Sequence, residues 1–311
     1  MNQAAHHWTK VLPPVLLCAA LWGSAFPCIK LVYQDWEARG IETGLAHYWW
    51  FAGIRFVLAG LVLLLISKQP LRDLRATPAK LIIAFSLTQT TLQYLFFYIG
   101  ISLASGSLSS LMVSTGSYWW IILSPILLKT PWPNLRQWLA ITVGAIGVSI
   151  ATSSSGGGEA GGSVAGVLIL LAATLMGALG LITFSKLRPT IGPRAATGYS
   201  LFFGGLLLLG TGLPAGPDTP ELFSPRVILL TLWLATVSAS AFTLWNHLST
   251  QHPVNLLAGY RFLIPICGVI ESVILIPGES LGKGLVFGSL LVALSLIVAQ
   301  RTMMRTPPAK P

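Results

Sequence analysis

TSSSGGGEAGGS, residues 152–163, lies close to the middle of a chain of 311 residues. Small and polar residues in a run of this kind are typical of a flexible linker. On both sides of it the chain consists mainly of long apolar runs, and the whole sequence is 54% hydrophobic and only 9% charged. Soluble domains carry about 25% charged residues. The sequence therefore predicts an all-α polytopic membrane protein that the linker divides into two halves.

Ten apolar runs, separated by charged or Pro/Gly-rich breaks, predict ten transmembrane helices. Five of them precede the linker and five follow it. Only a short small-residue stretch around residues 102–105 separates the third run from the fourth; we divide them because a single helix over both would be about twice as long as a bilayer is thick. The predicted spans are 11–32, 47–67, 81–101, 105–128, 137–152, 164–185, 195–213, 226–249, 254–276 and 283–300.

Basic residues are distributed unequally between the two sets of loops, which indicates the orientation of the chain. Of the 19 lysines and arginines, 13 lie in the termini and every second loop, 3 in the other loops and 3 within spans. Excess basic residues mark cytoplasmic segments, so we expect both termini in the cytoplasm and the linker on the outer side. The net charge of +10 then reflects orientation and does not indicate nucleic-acid binding.

The two halves show a weak internal similarity. Residues 104–151 align with 252–299 without a gap, and AALWGSAF in the first span aligns with AATLMGAL in the sixth, which pairs Gly23 with Gly177. Either the chain is duplicated or the halves share only membrane composition. If it is duplicated, five spans per half make the second half an inverted copy of the first, with the binding site between them. The predicted units are a first repeat at 1–153, a linker at 154–163, a second repeat at 164–302 and a cytoplasmic tail at 303–311.

Several short features occur in a fixed order along the chain: LWGSAF at 21–26, RFVLAG at 55–60, Pro265, PGESLG at 277–282 and a final helix rich in small residues. In this combination the sequence resembles the EamA-type branch of the drug/metabolite transporter superfamily over nearly its whole length. The resemblance implies alternating access around a central cavity, export of small metabolites, often amino acids, and no ATP hydrolysis.

The sequence departs from that family pattern in the first half. Residues 117–120, SYWW, stand where a proline is usual near the centre of the fourth helix, and Lys129 and Thr130 stand where the following loop often carries an acidic residue. We therefore expect a substrate pocket with a character of its own.

Ionisable side chains within spans are costly and usually face the interior of the bundle. Arg55 is either a structural counter-charge or a ligand for a substrate carboxylate. Glu271 is the only acidic residue clearly within a span. We hypothesise that it pairs with Arg55 or Lys30 in one state and is released or protonated in another, the alternative being a static pair. Lys30 otherwise anchors the outer end of its helix, and Arg261 either extends to the cytoplasmic surface or lines the cavity.

Glycine and proline within spans predict bent helices that face a cavity, here at Gly23, Pro27 and Pro265. Polar and aromatic residues cluster on several spans; rings supply contact area and amides fix orientation, which suits a zwitterion or an aromatic amino acid. For the aromatic residues of the fourth span, a place at the membrane interface is the alternative. The predicted substrate-binding residues are Trp22, Gln89, Gln93, Tyr118, Trp119, Trp245, Asn246 and Tyr260.

The sequence contains no GxxxxGK[ST] or HExxH motif and no Cys/His metal cluster, and its GxSxG match, GESLG at 278–282, follows a predicted membrane helix and not a strand. These features argue against an ATP-driven pump and a hydrolase. We therefore expect no catalytic activity, no cofactor and no metal. The prediction is a secondary transporter of the bacterial inner membrane that exports amino acids or related zwitterions. Lipophilic cations or sugar conjugates are the alternative cargo, and a membrane-embedded enzyme or receptor is a remote alternative. The expected partners are a small-molecule substrate and membrane lipid, and the chain is expected to be a monomer or weak homodimer.

Overall fold

A computed structural model describes residues 2–154, 163–252, 257, 260–279 and 282–303. Residues 155–162 of the predicted linker (154–163) and residues 304–311 of the predicted tail (303–311) lie outside these residues. Within the described part of the chain all regular structure is helical. The helices are α1 (Asn2–Ala38), α2 (Leu45–Leu65), α3 (Pro70–Ala76), α4 (Ala79–Ser86), α5 (Leu92–Ser102), α6 (Gly106–Val113), α7 (Gly116–Leu128), α8 (Leu135–Ser154), α9 (Val164–Leu187), α10 (Pro193–Gly212), α11 (Thr219–Leu222), α12 (Pro225–Gln251), α13 (Leu263–Leu275) and α14 (Lys283–Met303).

Eight helical segments of the described chain are long and apolar enough to cross a membrane. Each agrees with one of the first eight predicted spans. Two shorter apolar helices, Leu263–Leu275 and Lys283–Ala299, follow them. The chain is therefore an all-helical, multi-pass membrane protein. The eight segments are Val11–Ala38, Leu45–Leu65, Ala79–Ser102, Gly106–Leu128, Leu135–Ser153, Val164–Leu187, Pro193–Ala215 and Pro225–Gln251.

Two predicted spans are not continuous helices. The fourth is interrupted at residues 114 and 115, between α6 and α7, and the ninth at residues 261 and 262, just before α13. At the first interruption the hydroxyls of Ser114 and Thr115 both donate to main-chain carbonyls three residues earlier, at 2.6 Å. At the second, Pro265 lies in the first turn of α13, where its missing N–H costs nothing. A shift of 148 residues aligns Ser114 with Phe262, so the two interruptions overlap at that position of the alignment.

Helices α2 and α10 pack closely and run antiparallel along a line of glycines. A methyl group added to Gly53 would lie 2.7 Å from the main-chain nitrogen of Leu209, and one added to Gly205 would lie 2.8 Å from that of Val57. As the residue number increases along α2, the number of the residue that it contacts on α10 decreases. The absence of side chains at these glycines lets the two backbones approach each other, as is common for helices in membranes.

The other main helix contacts also join the two halves of the chain. Helix α1 packs on α12 and α13, while α9 packs on α5, α6 and α7, and α8 packs on α14. Gly23 lies at the contact between α1 and α13, because a methyl group there would be 2.9 Å from the Cβ of Cys267. Helix α1 is continuous through Pro27. Close packing therefore accounts for the glycine at position 23, and the bend at Gly23 and Pro27 stays a prediction.

Candidate binding cavity

A cavity of about 80 Å³ lies where helices from both halves of the chain meet. Helices α1, α2, α5 and α6 contribute from the first half, and α9, α12 and α13 from the second. The lining residues are Trp22, Ala25, Phe26, Ile29, Arg55, Gln89, Gln93, Tyr94, Phe97, Val113, Gly177, Leu181, Phe242, Trp245, Asn246, Arg261 and Ile264.

Seven of the residues singled out in the sequence are brought together around this cavity. They comprise three amide side chains, two indoles and two guanidiniums: Gln89, Gln93, Asn246, Trp22, Trp245, Arg55 and Arg261. For Arg261 the structure shows the side chain in the cavity, which was one of the two positions considered for it.

Aromatic rings form much of the wall. The ring of Trp22 lies 5.3 Å from that of Phe242 and 5.4 Å from that of Trp245, and Phe26 meets Phe97 at 5.9 Å. Phe26 and Phe242 were absent from the predicted pocket. Their spacing could have revealed them, since each lies three or four residues from a predicted lining tryptophan and so shares its helix face.

The three amides reach the cavity in different ways. Gln89 lies in a π-helical turn, Leu87–Thr91, that joins α4 to α5; such turns are frequent at functional sites, and the sequence reasoning did not find it. Its Nε2 has no hydrogen-bond partner among the described residues. Asn246 donates to Thr197 Oγ1 at 2.8 Å. Gln93 lies against Gly177, where an added methyl group would be 2.9 Å from its Oε1.

Arg55, on α2, is only 2% exposed and is surrounded by neutral groups. Its Nε and Nη2 donate to Ser238 Oγ at 3.2 and 2.8 Å, and its Nη1 donates to the Tyr98 hydroxyl at 2.8 Å. The guanidinium carbon also lies 4.6 Å from the centre of the Phe56 ring. These contacts fix the orientation of the charge without neutralising it.

Arg261 enters the cavity from the interruption that precedes α13. Its guanidinium lies beside Gly116, the first residue of α7, where an added methyl group would be 3.3 Å from an Nη atom. Its Nε has no hydrogen-bond partner among the described residues. The side chain thus connects the two interruptions, one in each half of the chain.

Three predicted pocket residues lie outside the lining just described. The Tyr118 hydroxyl forms a hydrogen bond with Ser295 of α14, and its ring fits over Gly144, which has no side chain to obstruct it. Tyr260 packs in an apolar cluster with Val11 and Val15 of α1. Trp119 is half-buried. Because the helix is interrupted at residues 114 and 115, the face that α6 presents to the cavity is not continued by α7.

The hypothesised ion pair of Glu271 is not formed in this structure. The ion pairs of the described residues are Arg39 with Asp35 and His47 with Asp218. None of the three described hydrogen bonds of Arg55 goes to Glu271, and Glu271 Oε2 has no described partner. Lys30 is half-buried on the C-terminal part of α1 and does not line the cavity.

Aromatic and apolar contacts lie beyond the cavity in both directions along α1. At the C-terminal end of α1, Tyr33 contacts Tyr48 at 4.5 Å between ring centres, and Trp36 donates to the Leu222 carbonyl at 2.8 Å. At the N-terminal end, Val11 and Val15 pack in one apolar cluster with Trp245.

Comparison with known proteins identifies the family of the chain. The model of the EamA-like transporter family matches two segments, residues 12–153 and 164–300. The chain belongs to the EamA-like transporter family. It is similar to the uncharacterized transporter YvbV of Bacillus subtilis, with 25% identity over 79% of this chain and 80% of the relative. It is also similar to the uncharacterized inner membrane transporter YedA of Escherichia coli K12, with 24% identity over 94% of this chain and 90% of the relative.

A solved crystal structure has the same fold. It covers 93% of this chain and 99% of its own, with a TM-score of 0.63 and 17% sequence identity. Together with the membrane-length helices, membership of the EamA-like family makes this chain a multi-pass transporter of the bacterial inner membrane.

Proposed function

We propose that this EamA-like protein is a secondary transporter that exports small metabolites, amino acids or related zwitterions, by alternating access. The central cavity carries the proposal, because both halves of the chain line it. Apolar and aromatic contacts lie beyond it in both directions along α1. Opening one set of these contacts at a time would expose the cavity to one side of the membrane and then to the other.

The lining matches the groups of an amino acid. A guanidinium can hold a carboxylate through paired hydrogen bonds. The amide oxygens of Gln89 and Gln93 can accept from an ammonium group, and aromatic faces attract the same group. The rings around Trp22 supply contact area for an apolar side chain. Orientation would thus come from the polar groups and affinity largely from the rings.

The proposal includes ten spans in two inverted repeats, with both termini in the cytoplasm. Helix α13 with the residues before it would form the ninth span, and α14 the tenth. Three observations support inversion. Helices α2 and α10, at corresponding places in the two halves, run antiparallel, and the two helix interruptions overlap in the alignment of the halves. Helix α1 contacts helices of the second half as α9 contacts the corresponding helices of the first. Besides its substrate the protein would contact only lipid, as a monomer or weak homodimer.

Sugar conjugates are the second candidate cargo, because Gln89, Gln93 and Asn246 could bind hydroxyl groups. Lipophilic cations are disfavoured. None of the described residues that line the cavity is acidic, so a cation would bring its charge to guanidiniums with no carboxylate to receive it.

Uptake into proteoliposomes tests the proposal. The purified full chain would be reconstituted and offered a panel of labelled amino acids, with and without an imposed pH gradient. We expect saturable uptake of at least one class, and a stronger response under the gradient if protons are coupled. Liposomes without protein and the exposed-site variant Arg226→Gln serve as controls. Absence of uptake of every amino acid, from protein that elutes as one monodisperse species, refutes amino-acid cargo.

Labelling of single cysteines tests the topology. A cysteine at Glu42 should react with a membrane-impermeant maleimide in intact spheroplasts, whereas one at Lys68 should react only after lysis. The reverse pattern contradicts the proposed orientation.

A further inference from the structure

The cavity holds two positive charges and no negative one. Arg55 comes from the first half and Arg261 from the second. None of the described lining residues is aspartate or glutamate. Residues 253–256 and 258–259, which precede Arg261 in the sequence and lie outside the described part, include no acidic residue either. The imbalance is therefore a property of the sequence as well as of the structure.

The surroundings of both guanidiniums leave their charge uncompensated. Arg55 contacts two hydroxyls and aromatic rings. Arg261 lies beside the start of α7, and a helix N-terminus itself carries a partial positive charge. A buried charge without a counter-charge is expensive unless something neutralises it. Because the described chain supplies no carboxylate to either residue, a ligand is the natural source of the negative charge.

Both arginines line the cavity together with Tyr94. The Tyr94 ring centre is 5.8 Å from the guanidinium carbon of Arg55, and the Arg261 guanidinium lies beside Gly116. A ligand in the cavity could therefore present one group to each arginine, with its body against the aromatic wall.

We propose that the cavity takes organic anions with two separated anionic groups, such as dicarboxylates and acidic amino acids, each group bound by one of the two arginines. This inference rests on the proposed function, since it takes the cavity to be the cargo site, and it narrows the cargo from zwitterions to molecules with net negative charge. Because the arginines belong to different halves of the chain, such a cargo connects the halves when it binds.

A series of ligands with a constant ring and changing charge tests this. Phenethylamine, phenylalanine, phenylpyruvate and phenylsuccinate carry net charges of about +1, 0, −1 and −2 at neutral pH. Each would be titrated against the full chain in detergent at constant ionic strength, with thermal stabilisation as the measure of binding. We expect phenylsuccinate to bind about 10- to 100-fold more tightly than phenylpyruvate, the effect of one further charge-assisted contact. Phenethylamine should bind weakest.

Two variants test whether each arginine binds one anionic group of the ligand. Arg55→Gln and Arg261→Gln should each reduce the affinity for phenylsuccinate to about that for phenylpyruvate, while Arg226→Gln, at an exposed position on α12, should leave both affinities unchanged. The ligand series in the unmodified chain needs no variant to fold. Equal or tighter binding of phenylalanine or phenethylamine overturns the proposal, and so does stabilisation by none of the four compounds.

Failure of the proposal and failure of transport can be told apart. Binding of the anions without uptake into proteoliposomes would leave the anion site standing and refute the transport function. Uptake of neutral amino acids with no preference for anions would support the transport function and refute the anion site.

Discussion

Replacing Gly205 by alanine should destabilise the protein, because the contact between α2 and α10 has no room for a methyl group. The new Cβ would lie 2.8 Å from the main-chain nitrogen of Val57 and 3.0 Å from the Cβ of Phe56, whereas ordinary contacts begin at about 3.4 Å. The deficit is about 0.6 Å, the difference between 3.4 and 2.8 Å. A main-chain atom cannot rotate away, so the two helices must move apart.

The expected magnitude follows from a matched comparison. Overpacking of this kind costs about 1–3 kcal/mol, but alanine also favours the helix over glycine by about 1 kcal/mol. Gly210, on the same helix, has no atom within 4 Å of an added methyl group. The free energy of unfolding of Gly210→Ala should therefore change only by the difference in helix propensity between alanine and glycine. The difference between the two variants should therefore be about 1–3 kcal/mol, which corresponds to a difference in Tm of about 2–6 °C for a chain of this size.

The chain carries its own probe for this measurement. Cys18 and Cys28 are buried and Cys267 is half-buried, so a thiol-reactive fluorophore reports unfolding as the temperature rises. Gly205→Ala should unfold at a lower temperature than the unmodified chain, and Gly210→Ala at the same or a higher one. Equal Tm values for the two variants would show that the helices are not as closely packed as described.

Three further changes have defined outcomes. Ser238→Ala removes the acceptor of two hydrogen bonds from Arg55 and should cost about 1.5–3 kcal/mol, read from the same thermal assay. Glu279→Ala removes the carboxylate that accepts a main-chain N–H at the start of α6 at 2.7 Å; the loss should be about 1–2 kcal/mol, as for a helix cap. Gly177→Ala should displace the flexible end of Gln93 and weaken cargo binding about fivefold, with Tm nearly unchanged.

These changes have control variants at exposed positions. Ser240→Ala lies on the exposed side of the helix that carries Ser238 and should leave Tm unaltered. Glu221→Ala, at an exposed position, is the counterpart of Glu279→Ala. A Ser238→Ala protein as stable as its control would mean that Tyr98 alone satisfies Arg55. Unaltered cargo binding by Gly177→Ala would remove Gln93 from the site.

Much of the fold could be predicted because membrane helices have a strong signal in composition. The first eight spans follow from runs of apolar residues, and the structure agrees with each of them. The interruptions at residues 114–115 and 261–262 could not be predicted in this way. The segment Gly106–Leu128 is long and apolar enough to span whether or not its helix is continuous, and only the bonds from Ser114 and Thr115 to earlier carbonyls show where it breaks.

The cavity could be predicted only in part. Polarity singled out Arg55, Gln93 and Asn246, because polar groups at membrane depth are energetically costly and usually face the interior of the bundle. It could not show which way Tyr118 points, since that depends on the space over Gly144 and on the position of α14. The proximity of Arg55 and Arg261 to Tyr94 likewise depends on how the two halves pack, which no local pattern contains.

The hydrogen bonds of Arg55 have a consequence for synthesis of the protein at the ribosome. Tyr98 follows Arg55 by 43 residues, but Ser238 follows it by 183. At about 5–20 residues per second, the second partner emerges about 10–40 s after the arginine. During that interval Arg55 lacks its Ser238 partner, and until α10 is made the glycine face of α2 lacks its packing partner as well. The newly made first half therefore depends on Tyr98, on lipid or on the insertion machinery to shelter Arg55 until translation of α12 is complete.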